Sequence, residues 1–282
     1  MAQGAIGLGL FAGAHRAFAA EATETSPFER SVAGRRVLFV PPRQAYAPTR
    51  PVVLLHGLGE TESPALGTRA WFDRYGLATA LERLQAPPLA RTLRAEYFTA
   101  EALAHANGLL RARAYRPPLF VCPHMPNIQT APEAKRYGVW LRDALLPEVR
   151  ALMSAGADAG IGTAPVLGGC SLGAFVGLEV FLDAPEAFAG FAGVQSAFFA
   201  SSAATYAERL AKALDGAGHK HLYFATSTQD HYRGSTEALW SELSKRLLLY
   251  TASMEPGPHD QPWLREVGTI ELLLWLHCLP PA

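Results

Sequence analysis

A serine lies between two glycines in the segment Gly169-Cys170-Ser171-Leu172-Gly173, and this spacing is the strongest chemical signal in the chain. The apolar residues 166–169 before it predict a strand, and those at 175–181 predict a helix. A serine at such a strand-to-helix turn exposes its hydroxyl at the carboxyl edge of a sheet, and the glycines let the strand and the helix approach closely. The pattern therefore predicts that Ser171 attacks a carbonyl carbon.

A serine hydroxyl needs a base to remove its proton and an acid to orient that base. At this kind of turn both follow the serine along the chain, the acid first and the histidine second. His259 is the predicted base, because it follows the last apolar run on a loop containing proline and glycine. The other histidines that compete for this role are His219, His221, His231 and His277. Of these, His221 is expected at the opposite edge of the sheet.

Asp230 is the predicted acid, since it follows the apolar run 221–226 and precedes the loop of His259 by one strand. The alternative interpretation is a turn aspartate that bonds its own loop. Asp260 is adjacent to His259 and is expected not to reach its ring. Asp183 ends the helix after the serine, which is a poor position for the acid.

The negative oxygen that forms during attack needs two backbone N–H donors. Leu172, in the first turn of the helix, is one predicted donor. The second is expected in the glycine-rich turn after the strand 52–55, at Leu58 or at its neighbour Gly57. His56 is expected to brace that turn by hydrogen bonds.

Four further side chains are candidates for the wall of a substrate pocket, although ordinary core or surface packing is the alternative for each. They are Trp71, His124, Phe198 and Trp263.

Strand and helix signals alternate along the chain, which predicts an α/β fold with a mainly parallel sheet covered by helices on both faces. The final strand is predicted at 247–251. One domain is expected over 31–282. Segment 60–117 carries helical patterns and no convincing strand, and it is predicted to be a helical insertion, either a lid over the site or a layer packed against the sheet.

The composition excludes several classes of function. The formal net charge is zero, so neither a nucleic acid nor an acidic membrane is an expected partner. The cysteines (Cys122, Cys170, Cys278) predict no disulfide framework, and Cys122 and Cys170 are expected to be buried thiols. No metal, cofactor or membrane span is expected. The oligomeric state is not indicated.

Residues 1–30 contain an apolar stretch at 5–14 and the small-residue pattern Ala17-Phe18-Ala19, without basic residues at the start. This segment resembles the end of an export signal. Export is the expectation, and an apolar N-terminal helix of a cytoplasmic protein is the alternative.

The chain resembles the α/β-hydrolase superfamily, and within it the putative-esterase family of esterase D-like enzymes, feruloyl esterases and mycolyltransferases. The resemblance covers about 36–280, without the segment 59–117. The chain differs from these relatives at two places. They often have a second glycine before the histidine, where this chain has Pro258, and they tend to have Ser-Gly where this chain has Gln195-Ser196-Ala197. Three local motifs carry the resemblance, at Gly168-Gly169-Cys170-Ser171-Leu172-Gly173, at 185–193 and at Gly257-Pro258-His259-Asp260.

The resemblance implies Ser171 as nucleophile, Asp230 as acid and His259 as base of an enzyme that cleaves a small carboxylic ester without a cofactor. Two other functions stay open. One is acyl transfer to an alcohol, and the other is a non-catalytic binding protein of the same fold.

Overall fold

The computed structural model describes residues 26–42, 50–92, 96–154 and 164–280. In these residues the chain forms an eight-stranded sheet with the order β1-β2-β4-β3-β5-β6-β7-β8. The first hairpin and the pair β2–β4 are antiparallel, and every other neighbouring pair is parallel. The strands are β1 (Phe28–Val32), β2 (Arg35–Val40), β3 (Val52–Leu55), β4 (Phe120–Pro123), β5 (Val166–Cys170), β6 (Gly190–Val194), β7 (His221–Gln229) and β8 (Thr251–Pro258).

Helices connect the parallel strands, as crossovers between parallel strands require. Three short π-helical segments extend or join them, at Ala70–Arg74, Leu141–Leu145 and Leu264–Gly268. The α-helices of the described residues are α1 (Pro64–Arg69), α2 (Leu77–Gln85), α3 (Ala100–Ala112), α4 (Ala131–Trp140), α5 (Leu146–Ser154), α6 (Leu172–Asp183), α7 (Ala203–Leu214), α8 (Arg233–Lys245), α9 (Gln261–Trp263) and α10 (Thr269–Cys278).

Two apolar cores lie on the two faces of the sheet, because successive side chains of a strand point to opposite sides. In β3, Val53 and Leu55 belong to one core, and Val52 and Leu54 to the other. Helices α4 to α8 cover the first face, and α2, α3 and α10 cover the second. The predicted α/β architecture with helices on both faces is therefore confirmed.

Segment 60–117 is helical, with α1, α2 and α3 inside it. The apolar side of α2 (Leu77, Ala80 and Leu84) is buried in the second core together with residues of β2 and α10. The segment thus packs as a layer on the sheet. A lid role, and the single domain over 31–282, stay predictions.

The predicted final strand at 247–251 is wrong. Leu247 is 88% exposed with a φ of 56°, Leu249 is 76% exposed, and the strand begins only at Thr251. The apolar run misled the prediction because it is a solvent-facing connection. The true strand lies at the sheet edge and has the sequence TASMEPGP, in which no apolar period is visible.

The candidate export signal, including residues 5–14 and 17–19, lies outside the described residues. Within the described part of the chain, no helix has both the length and the apolar character needed to cross a lipid bilayer.

Candidate active site

Ser171 lies at the junction of β5 and α6 in a conformation that side chains rarely adopt, with φ 52° and ψ −121°. The surrounding backbone holds it there. The Ser171 N–H donates to the carbonyl oxygen of Val194 in β6 at 2.9 Å, and the Ser171 carbonyl accepts from the N–H of Phe175 at 3.2 Å and of Ala197 at 3.2 Å. Strain of this kind persists only where neighbouring contacts enforce it, and it is concentrated at functional sites.

The glycines on either side are required by close backbone contacts. A Cβ at Gly173 would lie 2.3 Å from the carbonyl oxygen of Leu55, and a Cβ at Gly169 would lie 2.5 Å from the carbonyl carbon of Gly173. Because the obstructing atoms belong to the backbone, no side-chain movement could make room. The turn that carries Ser171 is therefore possible only with glycine at both positions.

The three side chains singled out from the sequence meet at the carboxyl edge of the sheet. The His259 Nε2 lies 3.0 Å from the Ser171 Oγ, and the His259 Nδ1 lies 2.8 Å from the Asp230 Oδ1. Ser171 follows β5, Asp230 follows β7 and His259 follows β8, so three strands of one sheet deliver them to one place.

Asp230 is held as a carboxylate by its hydrogen bonds. Burial by itself would raise its pKa, but donors from His259, from the Tyr232 N–H (2.9 Å) and from the Thr226 Oγ1 (2.7 Å) outweigh burial and lower it. A carboxylate only accepts hydrogen bonds, so the His259 Nδ1 carries the proton and its Nε2 accepts from the Ser171 hydroxyl. The imidazole is thus in the tautomer that can take up the serine proton.

The neighbouring Asp260 has a different task. Its Oδ1 accepts from the N–H of Trp263 at 2.8 Å and so caps the short helix α9. This placement agrees with the expectation that Asp260 does not orient the ring of His259.

Two backbone N–H groups lie at helix starts beside the serine. Leu172 is the first residue of α6, and Leu58 is the first residue of the 3₁₀ turn Leu58–Glu60, positions whose N–H groups have no acceptor within the helix. The alternative donor Gly57 is already engaged, since its N–H donates to the Tyr75 hydroxyl at 3.1 Å. A Cβ at Gly57 would lie 3.7 Å from the Cβ of Ser171, so this loop is adjacent to the serine.

His56 braces the same loop from within the core. Its Nε2 accepts from the N–H of Met125 at 2.9 Å, which requires the proton on Nδ1, and Nδ1 donates to the carbonyl of Gly57 at 2.9 Å. Burial lowers the pKa of His56 to about 4, although its hydrogen bond to Gly57 acts in the opposite direction. The neutral ring is therefore the form that holds the loop at neutral pH.

A buried polar network on the other side of the loop was not evident from the sequence. The Tyr75 hydroxyl accepts from the Gly57 N–H and donates to the Glu60 carboxylate. Glu60 is only 2% exposed and also accepts from the Gln261 Nε2 at 3.3 Å, with Arg74 3.4 Å away. Because Gln261 lies two residues after His259, the network connects the loop of Gly57 and Leu58 to the loop of His259.

The four candidate pocket residues are placed differently from one another. Trp71, Phe198 and Trp263 lie in the core and present almost no surface to a ligand. The indole N–H groups of Trp71 and Trp263 donate to the carbonyls of Leu55 (2.9 Å) and Pro256 (3.1 Å). His124 is partly exposed, contacts the Thr61 carbonyl through its Nε2 at 3.0 Å and stacks on His56.

His231 contacts His259 from the solvent side, with ring centroids 4.3 Å apart. Ligand atoms of Asp230, His231 and His259 lie within 4.8 Å of one another, which is close enough for a shared metal ion. The planes of the two imidazole rings are tilted by 36° to each other. Asp230 and His259 are moreover bonded to each other.

Burial disfavours the thiolate form of two cysteines. Cys122 and Cys170 are buried, as expected, and burial raises the pKa of both. The thiolate is the nucleophilic form of cysteine, so Cys170, although adjacent to Ser171, does not compete with the serine hydroxyl.

Comparison with known proteins identifies the fold. No protein-family model matches the chain, and no curated protein matches it. A ferulic acid esterase superposes with a TM-score of 0.60 at 12% identity, over 86% of this chain and 92% of that one. The S-formylglutathione hydrolase of Staphylococcus aureus gives 0.54 at 15% identity (89% and 94%), and the ferric enterobactin esterase of Salmonella typhimurium gives 0.52 at 17% (92% and 60%). At these identities the likeness shows the α/β-hydrolase fold.

Proposed function

We propose that this protein is a serine hydrolase that cleaves a carboxylic ester through an acyl-enzyme. The observation that carries the proposal is the continuous chain of hydrogen bonds from Ser171 through His259 to Asp230, which begins at a strained turn. The names of the similar structures support ester hydrolysis, since they are two esterases and an S-formylglutathione hydrolase.

In the first half of the reaction, Ser171 attacks the ester carbonyl while the Nε2 of His259 takes its proton. The negative oxygen that develops is bound by the N–H groups of Leu58 and Leu172. His259 then gives its proton to the leaving alcohol, and the acyl group stays on Ser171. Asp230 holds the tautomer and stabilises the imidazolium.

In the second half, a water molecule takes the place of the alcohol. His259 removes a proton from the water as the water oxygen attacks the acyl carbon. The bond from that carbon to the Ser171 Oγ then breaks, the serine oxygen takes the proton back from His259, and the free acid leaves. All the catalytic groups that these steps need are side chains and backbone amides of the chain itself, so the proposed mechanism requires a small-molecule ester and water.

A fluorophosphonate probe tests the nucleophile directly, because it forms a stable bond only with an activated serine. We expect the probe to label the wild-type protein on the peptide that contains Ser171, as read by mass spectrometry, and p-nitrophenyl acetate to be hydrolysed. Ser171→Ala should abolish both, while the exposed Ser201→Ala keeps both. Turnover by Ser171→Ala at the wild-type rate would overturn the proposal.

An alcohol acceptor distinguishes hydrolysis from transfer. During hydrolysis, added alcohol leaves the yield of free acid unchanged, whereas an acyltransferase diverts the acyl group into a new ester. A non-catalytic binding protein would show neither product and no labelling.

A further inference from the structure

Gln195 occupies an unusual position directly after β6. It is 1% exposed, and its φ of 49° lies in the left-handed region, which is uncommon for a residue with a side chain. Its N–H donates to the carbonyl of Ala225 in β7 at 2.7 Å, which fixes this backbone against the strand that leads to Asp230.

The side-chain amide of Gln195 reaches the histidine loop. Its Nε2 donates to the Ser227 Oγ at 2.8 Å and to the carbonyl oxygen of Pro258 at 3.0 Å. Since a carbonyl only accepts, the atom that faces Pro258 must be the amide nitrogen. The Ser227 hydroxyl donates to the same carbonyl at 3.2 Å.

The Pro258 carbonyl belongs to the peptide group that joins Pro258 to His259. Fixing this oxygen fixes the plane of that peptide and therefore the direction in which the His259 side chain leaves the backbone. His259 has to satisfy two distances at once, 3.0 Å to Ser171 and 2.8 Å to Asp230. Two residues before His259, Gly257 adopts a φ of 135°, a conformation that favours glycine, so the chain changes direction at this point.

We propose that Gln195 is a positioning residue for His259 and acts together with Ser227 through the Pro258 carbonyl. This inference rests on the proposed function, because it concerns how the base is aimed at Ser171. The sequence marks the position as a departure from the resembling family, which tends to have Ser-Gly here, and the structure supplies a task for the glutamine. Gln195 does not touch the reacting atoms, so its effect passes through His259.

The test replaces Gln195 by methionine, which is similar in length and cannot donate to either oxygen. We expect kcat for p-nitrophenyl acetate to fall about 100-fold, the size of loss that a misplaced catalytic group produces, with KM little changed. The rate of fluorophosphonate labelling should fall by the same factor. In the proton NMR spectrum, the strongly deshielded Nδ1–H signal of His259 bonded to Asp230 should broaden or disappear.

Thr236→Val is the matched control, because it also removes a buried polar atom, one without a partner among the described residues. It should leave kcat, labelling and the NMR signal unchanged. If Gln195→Met loses thermal stability but keeps kcat, the labelling rate and the deshielded signal within about twofold of the wild type, Gln195 is only structural and the inference is overturned.

Ser227→Ala provides a smaller perturbation should Gln195→Met fail to fold. It removes the second donor to the Pro258 carbonyl, and we expect a loss in kcat of about fivefold with a broadened His259 signal. An unchanged rate and an unchanged signal in Ser227→Ala would overturn the inference. Where both single variants fold, we expect kcat of the double variant to fall by less than the product of the two single decreases, because the two donors share one acceptor. Decreases in kcat that simply multiply would contradict a common route through the Pro258 carbonyl.

Failure of the two proposals can be told apart. If the wild-type protein neither labels nor hydrolyses esters, the proposed function fails, and the NMR signal alone still decides whether Gln195 positions His259. If the wild type is active and Gln195→Met is equally active, only the positioning inference fails.

Discussion

The Tyr75 hydroxyl oxygen lies 3.1 Å from the backbone nitrogen of Gly57 and accepts a hydrogen bond from its N–H. The same hydroxyl donates to the buried carboxylate of Glu60. One hydroxyl thus holds the loop of Gly57 and Leu58 on one side and satisfies an acidic group on the other. Because Gly57 is engaged, Leu58 is the residue of this loop that we propose as a donor to the substrate.

Tyr75→Phe should lower both the activity and the stability of the protein. We expect kcat to fall about tenfold, less than the roughly 100-fold cost of losing an oxyanion donor outright, because the loop loosens but keeps its amides. The Gly57 N–H and the Glu60 carboxylate each lose a partner, which should lower the free energy of unfolding by about 1–3 kcal/mol. Steady-state kinetics and urea unfolding measure the two effects.

Tyr115→Phe is the control for this prediction. Its hydroxyl is also buried on this face of the sheet, but it has no hydrogen-bond partner within the described part of the chain. Removing it should leave kcat unchanged and should not lower stability. Equal losses of activity in the two variants would show that the contact with Gly57 is irrelevant.

Asp230→Asn should reduce kcat by about 10⁴-fold, because an amide in this position stabilises neither the required tautomer nor the imidazolium. Asp260→Asn, one residue from the base, should keep nearly full activity, since asparagine caps a helix as well as aspartate does. Parallel kinetics on the two purified variants decide between the two acids. A large loss in Asp260→Asn with little change in Asp230→Asn would reverse the assignment.

Gly173→Ala should prevent the turn at Ser171 from forming, because the new methyl group would overlap the carbonyl oxygens of Leu55 and His56. We expect loss of soluble folded protein or a destabilisation of more than about 3 kcal/mol, together with loss of labelling. Gly234→Ala makes the same change in α8, where a Cβ meets open space, and should stabilise the protein by up to about 1 kcal/mol. Thermal unfolding of both variants is the measurement, and a stable, active Gly173→Ala would be incompatible with this geometry.

His56 should make the protein sensitive to acid. Its pKa is about 4 in the folded chain against 6.5 ordinarily, so between these values the unfolded chain binds a proton that the folded chain does not. The free energy of unfolding should therefore fall as the pH drops from 6.5 toward 4, by up to about 1.4 kcal/mol per pH unit from this group.

His56→Gln should remove this contribution while keeping one donor and one acceptor in the loop. Urea unfolding from pH 8 to pH 4.5 measures it as the difference in slope between wild type and variant, which excludes the contributions of other groups. Near pH 8, the difference in the free energy of unfolding between the wild type and His56→Gln should no longer change with pH. Parallel stability curves over the whole range would contradict the role of His56.

The part of the site that could be predicted from the sequence is the part whose geometry is local or follows chain order. The turn at Ser171 is specified by its flanking glycines, and Asp230 and His259 each follow a strand in the sequence order that this turn requires. The catalytic roles of the three residues stay predictions, whereas their convergence is a property of the sheet.

The residues that were missed act through tertiary contacts that leave no local pattern. Nothing in the segment Leu58-Gly59-Glu60 shows that the glutamate is buried, since its partners lie at Tyr75 and Gln261. In the sequence, Gln195 stands out only as a departure from a motif of the resembling family. The hairpin strand β1 (FERSV) has no strand signal in the sequence, because its three middle residues are all charged or polar and so break the apolar alternation of a strand.

The prolines of β8 have a consequence beyond the catalytic loop. This strand forms one edge of the sheet, and two of its residues, Pro256 and Pro258, lack the N–H group that a ladder of strands needs. Pro258 turns its backbone toward β7, where its carbonyl accepts from Ser227, but at Pro256 an approaching strand from another molecule would find a donor missing. The edge that delivers the histidine is therefore also protected against intermolecular β-pairing and the aggregation that such pairing begins.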